Sequence, residues 1–337
     1  MNVKLSYILP IFNVEKYLSN CLDSIYVQQI PEDEFEIVCV NDCSPDNSRA
    51  IILQYQEKHS NIVLIDHVCN KKAGGARNTG LSVAKGEYIW FVDPDDTVHL
   101  CALKNIWYII KENKKDIIYL NYCILRNDVV EKEIIQTKSQ NNYIDGVSFL
   151  LNVFGDGLIY DLGFPWRAIF KRELLMSNNI RFPEKYLYGE DTTFFAEASL
   201  FAKNVLTTEN IAYNYNIREN SASSQLTTSM RGEQIYESIF LAGNLVNKLK
   251  NKAQLYSQEL SNKIENGIPW FLNRLFIRLV RTSKIERNRF YQILSSNNTD
   301  LPIGDLLTYM DFKNRFIVKN PFLGGLLLNI LSFIYKL

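Results

Sequence analysis

The string Asp93-Pro94-Asp95-Asp96 crowds three carboxylates together directly after the apolar run from Tyr88 to Val92. Carboxylates this close repel one another unless a cation or a proton lies between them. Mg²⁺ and Mn²⁺ take such oxygen ligands and usually complete their shells with phosphate oxygens. On its own the string reads as a solvated turn with Pro94 inside it. Its surroundings turn the reading toward a metal site, because residues 87–92 have the β-branched and aromatic content of a strand buried on both faces. The carboxyl end of such a strand is where open α/β sheets bind ligands. Upstream, Asp42 offers an acid that can accept from a nucleobase N–H, while Lys72 and Arg77 bring positive charge for phosphates. The combination describes a pocket for a nucleotide diphosphate with a divalent metal.

The elements that must position these groups alternate between strand and helix. Residues 5–10 read as a strand ended by Pro10, and residues 14–29 as a helix with Leu18, Cys21, Leu22, Ile25 and Tyr26 at helical spacing. Residues 35–40 read as a second buried strand, closed by a run of turn and N-cap residues at 41–48. A helix over 48–58 and a strand over 62–65 follow. Residues 71–78 read as a basic, glycine-containing loop leading into a helix that ends at Ala84, and the next strand runs out at Asp93. This alternation implies an α/β fold with a parallel sheet and right-handed crossovers. Three polar loops then gather at one sheet edge: residues 10–15, 41–48 and 93–96.

Four segments in this order resemble the signature of glycosyltransferase family 2. They are Pro10-Ile11-Phe12-Asn13-Val14-Glu15, Val40-Asn41-Asp42-Cys43-Ser44-Pro45-Asp46-Asn47-Ser48, Gly74-Gly75-Ala76-Arg77-Asn78-Thr79-Gly80 and Asp93-Pro94-Asp95-Asp96. Ordered together they are far more specific than any one alone. The resemblance implies the GT-A fold, a Rossmann-like, mostly parallel sheet flanked by helices, here with a helical C-terminal extension. It implies an inverting, metal-dependent transferase like those of bacterial capsule and exopolysaccharide synthesis, using Mn²⁺ or Mg²⁺. In this resemblance Pro10 and Phe12 line the base and ribose pocket with Glu15 nearby. Asp42 binds the base, usually uracil, Arg77 faces the sugar and phosphates, and Asp93 with Asp95 holds nucleotide and metal. Cys43 stands where the family commonly carries glycine. The segment Tyr188-Gly189-Glu190-Asp191 resembles the family's catalytic acid pair, which makes Asp191 the general base and Glu190 its supporting neighbour. Without the family, the two acids read as an N-terminal cap on the apolar helix that follows. Asp96, Trp166 and Arg218 are further candidates for acceptor or diphosphate contact, and residues 213–221 resemble a loop of the family that follows the catalytic helix.

Beyond residue 100, a helix is expected over 103–115, a strand over 116–125 and a polar hairpin region over 127–142, with Pro165-Trp166-Arg167 on the acceptor side. Past about Met230 the pattern is helical. The expected organisation is a nucleotide-sugar half over 1–100, an acceptor half over 101–228 and a helical region over 229–337. In the last, residues 268–285 interleave Trp270, Phe271, Leu275, Phe276 and Leu279 with Arg274, Arg278, Arg281 and Lys284. Such a helix packs against a core or lies on an anionic membrane surface. The apolar tail at 320–337 favours the second, although Gly324-Gly325 and Asn329 interrupt it too early for a span. Peripheral attachment at the cytoplasmic face would bring the site beside a lipid-linked saccharide acceptor, and the C-terminal helices could also pair two copies.

Composition narrows the alternatives. Lys plus Arg and Asp plus Glu balance at 37 each, so no basic field argues for nucleic acid. Six cysteines without zinc-type pairs fit a reducing compartment, and three scattered histidines support neither a zinc site nor a Ser-His-Asp triad. Residues 1–12 lack a signal peptide's basic start and apolar core. Two classes of function follow: a transferase moving one hexosyl or N-acetylhexosaminyl group from a nucleotide-sugar, usually a UDP-sugar, to a saccharide, or a nucleotide-binding scaffold on the same fold. A nucleotidyltransferase would want glycines near the N-terminus, where residues 10–15 have none.

Overall fold

Apolar side chains on both faces oblige Leu5–Ile11 (β1), Phe35–Asn41 (β2) and Tyr88–Phe91 (β4) to lie inside a sheet, and all three are buried along nearly their whole length. The structure, a computed structural model, describes residues 3–127, 129–135, 145–153, 164–184, 190–217 and 249–264. With Ile62–Asp66 (β3) these strands form the parallel order β3-β2-β1-β4, crossed over by helices Leu18–Tyr26 (α1), Ser48–Gln56 (α2) and Lys72–Val83 (α3). This is the βαβ arrangement expected from the sequence.

The rest of the sheet is mixed. Thr97–Val98 (β5), Leu103–Glu112 (α4), Ile117–Arg126 (β6), Val129–Ile134 (β7) and Gly146–Val153 (α5) come next. A single 3-10 turn, Pro165–Arg167, leads into Ala168–Lys171 (β8), Arg172–Ser177 (α6), Glu190–Phe201 (α7) and Val205–Ile217 (β9). Strand β8 lies antiparallel between β4 and β6, β9 runs parallel to β6, and β5 and β7 pair antiparallel with β9 and β6. The described strands thus form one sheet in the order β3-β2-β1-β4-β8-β6-β9-β5, with β7 beside β6. Residues 213–217, expected in a loop, continue β9, because Tyr213 and Asn214 pair with both β5 and β6.

Period-two alternation in the central strands feeds two cores. Leu5, Tyr7, Leu9 and Ile11 join Tyr88, Trp90 and Val92 beneath α1 and α4. On the opposite face Phe91 meets Phe170, Phe182 and Phe194 at ring separations of 6.2, 5.1 and 5.4 Å. Helix α3 lies on that second face and shows the main departure from expectation. Residues 72–78 are not a loop, since α3 begins at Lys72 and contains the glycine pair. Those glycines serve close packing. A Cβ on Gly74 would lie 3.3 Å from the Phe182 Cβ and from the Pro183 carbonyl oxygen, and one on Gly80 would overlap the Ile8 Cγ2. The sequence signal was ambiguous because glycine marks loops and close approaches alike.

The chain divides into two compact units, residues 1–153 with 161–185 and 190–217, and residues 154–160, 186–189 and 218–337. In the second unit the described residues are helical at 249–254 and 258–264, with Leu249, Ala253, Leu260 and Ile264 buried. Among the described residues no helix is long and apolar enough to cross a membrane. The amphipathic and apolar stretches at 268–285 and 320–337 lie outside the described residues.

Gly80→Val should cost about 1–3 kcal/mol by overpacking against Ile8 and Val40. The measurement is the urea midpoint at unchanged slope, and an unchanged midpoint would show that α3 does not need this approach.

Candidate functional site

Strand β1 separates β2 from β4, so the carboxyl ends of these strands border a crevice of the kind that binds ligands in open α/β sheets. The last β1–β4 pair is Ile8 with Phe91, whereas β1 stays paired with β2 as far as Ile11 and Asn41. Pro10 therefore lies past the end of the β4 ladder, where a residue without an N–H costs no hydrogen bond on that side. Beyond Phe91 the chain turns through Asp93-Pro94-Asp95-Asp96.

Strand β9 fixes this acidic turn. The Asp93 amide donates to the Tyr213 hydroxyl (3.1 Å), which donates in turn to Asp96 Oδ2 (3.0 Å). The Asn216 amide donates to Asp96 Oδ1 (2.8 Å), and its side-chain nitrogen donates to the Asp95 carbonyl (3.2 Å). Asp96 is thus a buried anchor, each of whose two oxygens accepts a hydrogen bond, and not an exposed residue. Burial, and then the charge of Asp93, pushes its carboxyl well above the usual range. Asp93 and Asp95 are only half-buried, and one carboxylate oxygen from each of Asp93, Asp95 and Asp96 falls within 4.8 Å of the others. An all-oxygen donor set with two carboxylates near the surface suits Mg²⁺ or Mn²⁺.

Arg77 leaves α3 beside this turn and is itself buried. Its Nη2 donates to Asp93 Oδ1 (2.7 Å) and its Nη1 to Asp191 Oδ1 (2.6 Å), while the guanidinium lies 5.2 Å from the centre of the Phe182 ring. Burial works against the charge of Arg77, but Asp191 and Asp93 outweigh it and hold the group protonated. Both terminal nitrogens engage protein carboxylates, so Arg77 bridges the acidic turn to α7. Glu190 and Asp191 open α7, where the helix dipole favours acids. Burial and then Asp191 raise the Glu190 carboxyl, and burial raises that of Asp191 against the direct pull of Arg77. The acid bonded to the arginine is thus the one favoured to stay ionised. Asn78 sets the approach to α7: its side chain donates to the Phe182 carbonyl (2.8 Å) and accepts from the Phe182 amide (2.8 Å).

The other two loops are clasped together. The Glu15 amide donates to Asp46 Oδ2 (2.8 Å), the Asn47 amide donates to Glu15 Oε2 (2.9 Å) and the Asn13 amide donates to Ser44 Oγ (2.8 Å). Burial raises the Asp46 carboxyl, but hydrogen bonds from Ser44, Glu15 and Ser48 win and hold it below the ordinary value. Phe12 is 48% exposed at the tip of its loop. Cys43 adopts φ 59°, the left-handed region, which explains why glycine suits this position; a cysteine there carries strain on the order of 1 kcal/mol. Asp42 is nearly buried, and its Oδ1 accepts from His67 Nδ1 (2.7 Å) and from the Lys71 amide (2.7 Å). His67 is the site residue that sequence reasoning passed over, because a single histidine in a polar loop carries no periodic or motif signal. Lys72 is exposed at the first turn of α3. His99 is hydrogen-bonded through its backbone to Ala212 and Gln28, so it serves the chain path near β5.

Trp166 does not line an open site. It is stacked among Phe164, Tyr213 and Tyr215 at 5.1, 4.5 and 5.8 Å, and its carbonyl accepts from Trp90 Nε1. The string Pro165-Trp166-Arg167 was expected on the acceptor side, and the aromatic stack that buries Trp166 is a tertiary event with no local signal. Arg218 and Gly189 lie outside the described residues.

Residues 6–173 match the model for Glycosyl transferase family 2. The chain is 35% identical over 217 residues to a poly(ribitol-phosphate) beta-glucosyltransferase of Bacillus spizizenii, covering 64% of this chain and 32% of that protein. It is 30% identical over 213 residues to the poly(ribitol-phosphate) beta-N-acetylglucosaminyltransferase TarS of Staphylococcus aureus, covering 63% and 35%. The chain thus spans about a third of the length of these curated relatives. A crystal structure of residues 1–349 of S. aureus TarS in complex with UDP-GlcNAc superposes with a TM-score of 0.67 at 24% identity, covering 99% of this chain and 89% of that one.

Removing the shared cation should expose the strain of the carboxylates around it. Arg77→Gln is expected to cost roughly 3 kcal/mol, at the low end for a broken buried pair because Asp93 and Asp191 keep some water contact. Adding Asp191→Asn to Arg77→Gln should then recover part of the loss, as read by urea unfolding of the double-mutant cycle.

Proposed function

Since the chain belongs to glycosyltransferase family 2, we propose that it transfers one sugar, with inversion, from a UDP-sugar to a hydroxyl of a surface polymer or its lipid-linked precursor. One observation carries this reading: a single buried guanidinium ties Asp93, on the donor side, to Asp191, at the start of the helix that brings in the acceptor base. The relatives that act on poly(ribitol-phosphate) support a polymeric, hydroxyl-rich acceptor, and the UDP-GlcNAc complex of the structural neighbour supports a UDP-sugar donor.

In this reading the base and ribose lie along Pro10, Phe12 and Asp42, with Glu15 holding the two loops together. Lys72 at the start of α3 faces the phosphates. Asp93 and Asp95 would hold a divalent ion, and such an ion would offset charge on the departing diphosphate. The acceptor hydroxyl oxygen attacks the anomeric carbon as its proton passes to Asp191. The bond from that carbon to the diphosphate oxygen breaks, and the diphosphate leaves with the electron pair. Arg77 keeps Asp191 charged until it takes the proton and holds it at a fixed separation from the donor side. Glu190, the more easily protonated neighbour, orients the acceptor. The basic stretch 268–285 and the apolar tail 320–337 supply peripheral membrane contact.

Asp191→Asn keeps the shape of the side chain and removes the proton acceptor, so transfer should fall by about 10²- to 10⁴-fold with donor affinity retained. Asp93→Ala and Asp95→Ala should remove activity that a chelator also removes in the parent enzyme. Donors are screened by mass detection of product; UDP binding without turnover for any sugar would replace the transferase reading with a nucleotide-binding scaffold. If Glu190→Gln abolishes transfer while Asp191→Asn retains it, the base is Glu190.

A further inference from the structure

Asp42 is pinned at three points. Its amide donates to the Ile11 carbonyl (2.9 Å), its carbonyl accepts from Asn70 Nδ2 (3.1 Å), and its Oδ1 takes both His67 Nδ1 and the Lys71 amide. A carboxylate oxygen only accepts, so His67 must carry a hydrogen on Nδ1. The other ring nitrogen, Nε2, lies 2.9 Å from the Thr79 hydroxyl, which can give or take a hydrogen bond. The side chains of His67 and Asp42 are 5% and 3% exposed, so neither partner can trade this bond for water at little cost. His67 is also fixed through its backbone, by donation of its amide to the Asn41 carbonyl (2.9 Å). Among the described residues, no donor is bonded to Asp42 Oδ2.

We propose that His67, backed by Thr79, is a positioning and specificity-determining residue for the nucleobase. With the Lys71 amide it saturates Oδ1, which leaves Oδ2 as the one Asp42 oxygen with no donor among the described residues, fixed in direction and able only to accept. Such an oxygen pairs with a base that presents a ring N–H, as the imide of uracil does. It repels a base that presents a ring lone pair, as cytosine does. Discrimination of this kind comes from leaving the wrong base unpaired as much as from bonding the right one. Thr79 lies two residues after Arg77 on α3, so the same helix positions the base-reading carboxylate and the bridge to Asp93 and Asp191. The inference rests on the donor-site reading given above.

The test is calorimetric binding of UDP and CDP, with donor kinetics, for the full chain and for His67→Ala, Thr79→Val and Thr79→Ser. His67→Ala should weaken UDP binding and raise the donor KM by about tenfold, the loss expected for one hydrogen bond to a charged group. CDP binding should change by less than about threefold, so the preference for UDP shrinks, and kcat should fall far less than KM rises. Thr79→Val should move the same quantities in the same direction by less, and Thr79→Ser should restore them. If His67→Ala fails to fold, the Thr79 pair supplies the same readout. A lower melting temperature with unchanged UDP preference and donor KM would make His67 a purely structural residue and overturn the proposal. A parent protein that binds neither UDP nor CDP would overturn the donor-site reading itself.

Discussion

One buried cation constrains most of what surrounds it. The guanidinium of Arg77 is cut off from water, and an isolated charge in that position would cost several kcal/mol. Asp93 and Asp191 compensate that cost together, although they lie 16 and 114 residues away in sequence. The end of β4, the second turn of α3 and the start of α7 must therefore meet at one point. That requirement explains why α3 is poor in large side chains on its inner face. The helix must lie close enough to β1 and to the segment at 180–184 for a side chain of arginine length to span both acids.

Around this bridge the polar groups are held by a second set of bonds that fix direction. Tyr213 and Asn216 of β9 take up Asp96, so that Asp93 and Asp95 are the acids left near the surface. Asn78 grips both backbone groups of Phe182, and Glu15 exchanges bonds with the loop at 44–48. Each clasp joins segments far apart in sequence and pairs backbone groups that lie outside the strand ladders. The three loops at the sheet edge are thereby set by hydrogen bonds, while the sheet and its two aromatic cores supply the stability.

The GT-A fold assigns these duties to different regions of the sheet. The parallel strands β3-β2-β1-β4 present polar loops at their carboxyl ends. The antiparallel insertion of β8 and the long β9 then carry the chain back across the sheet, bringing Tyr213 under the acidic turn. Two acids next to each other at the head of α7 meet different environments as a result. Asp191 is bonded to the guanidinium and Glu190 is chiefly desolvated, a division that lets neighbouring carboxyls take different roles.

Much of this was legible in the chain itself, because it depends on local pattern. The buried strands, the crossover helices, the crowded acids after β4 and the four ordered motifs are properties of neighbouring residues, and they determined the fold class and most of the candidate site. The left-handed backbone at Cys43 was signalled only through the family resemblance, in which glycine is common at that position. Only the tertiary structure decided which polar groups are spent on one another. Asp96 and Trp166 were candidates for acceptor or diphosphate contact, but β9 buries the first and an aromatic stack buries the second. The glycines of α3 were read as a loop because their close neighbours, Ile8 and Phe182, are distant in sequence. His67 gave no signal, since its importance lies in Asp42 and Thr79 standing on either side of its ring. Pairing across long sequence separations depends on three-dimensional proximity and hydrogen-bond direction, and neither is written in the spacing of residues along the chain.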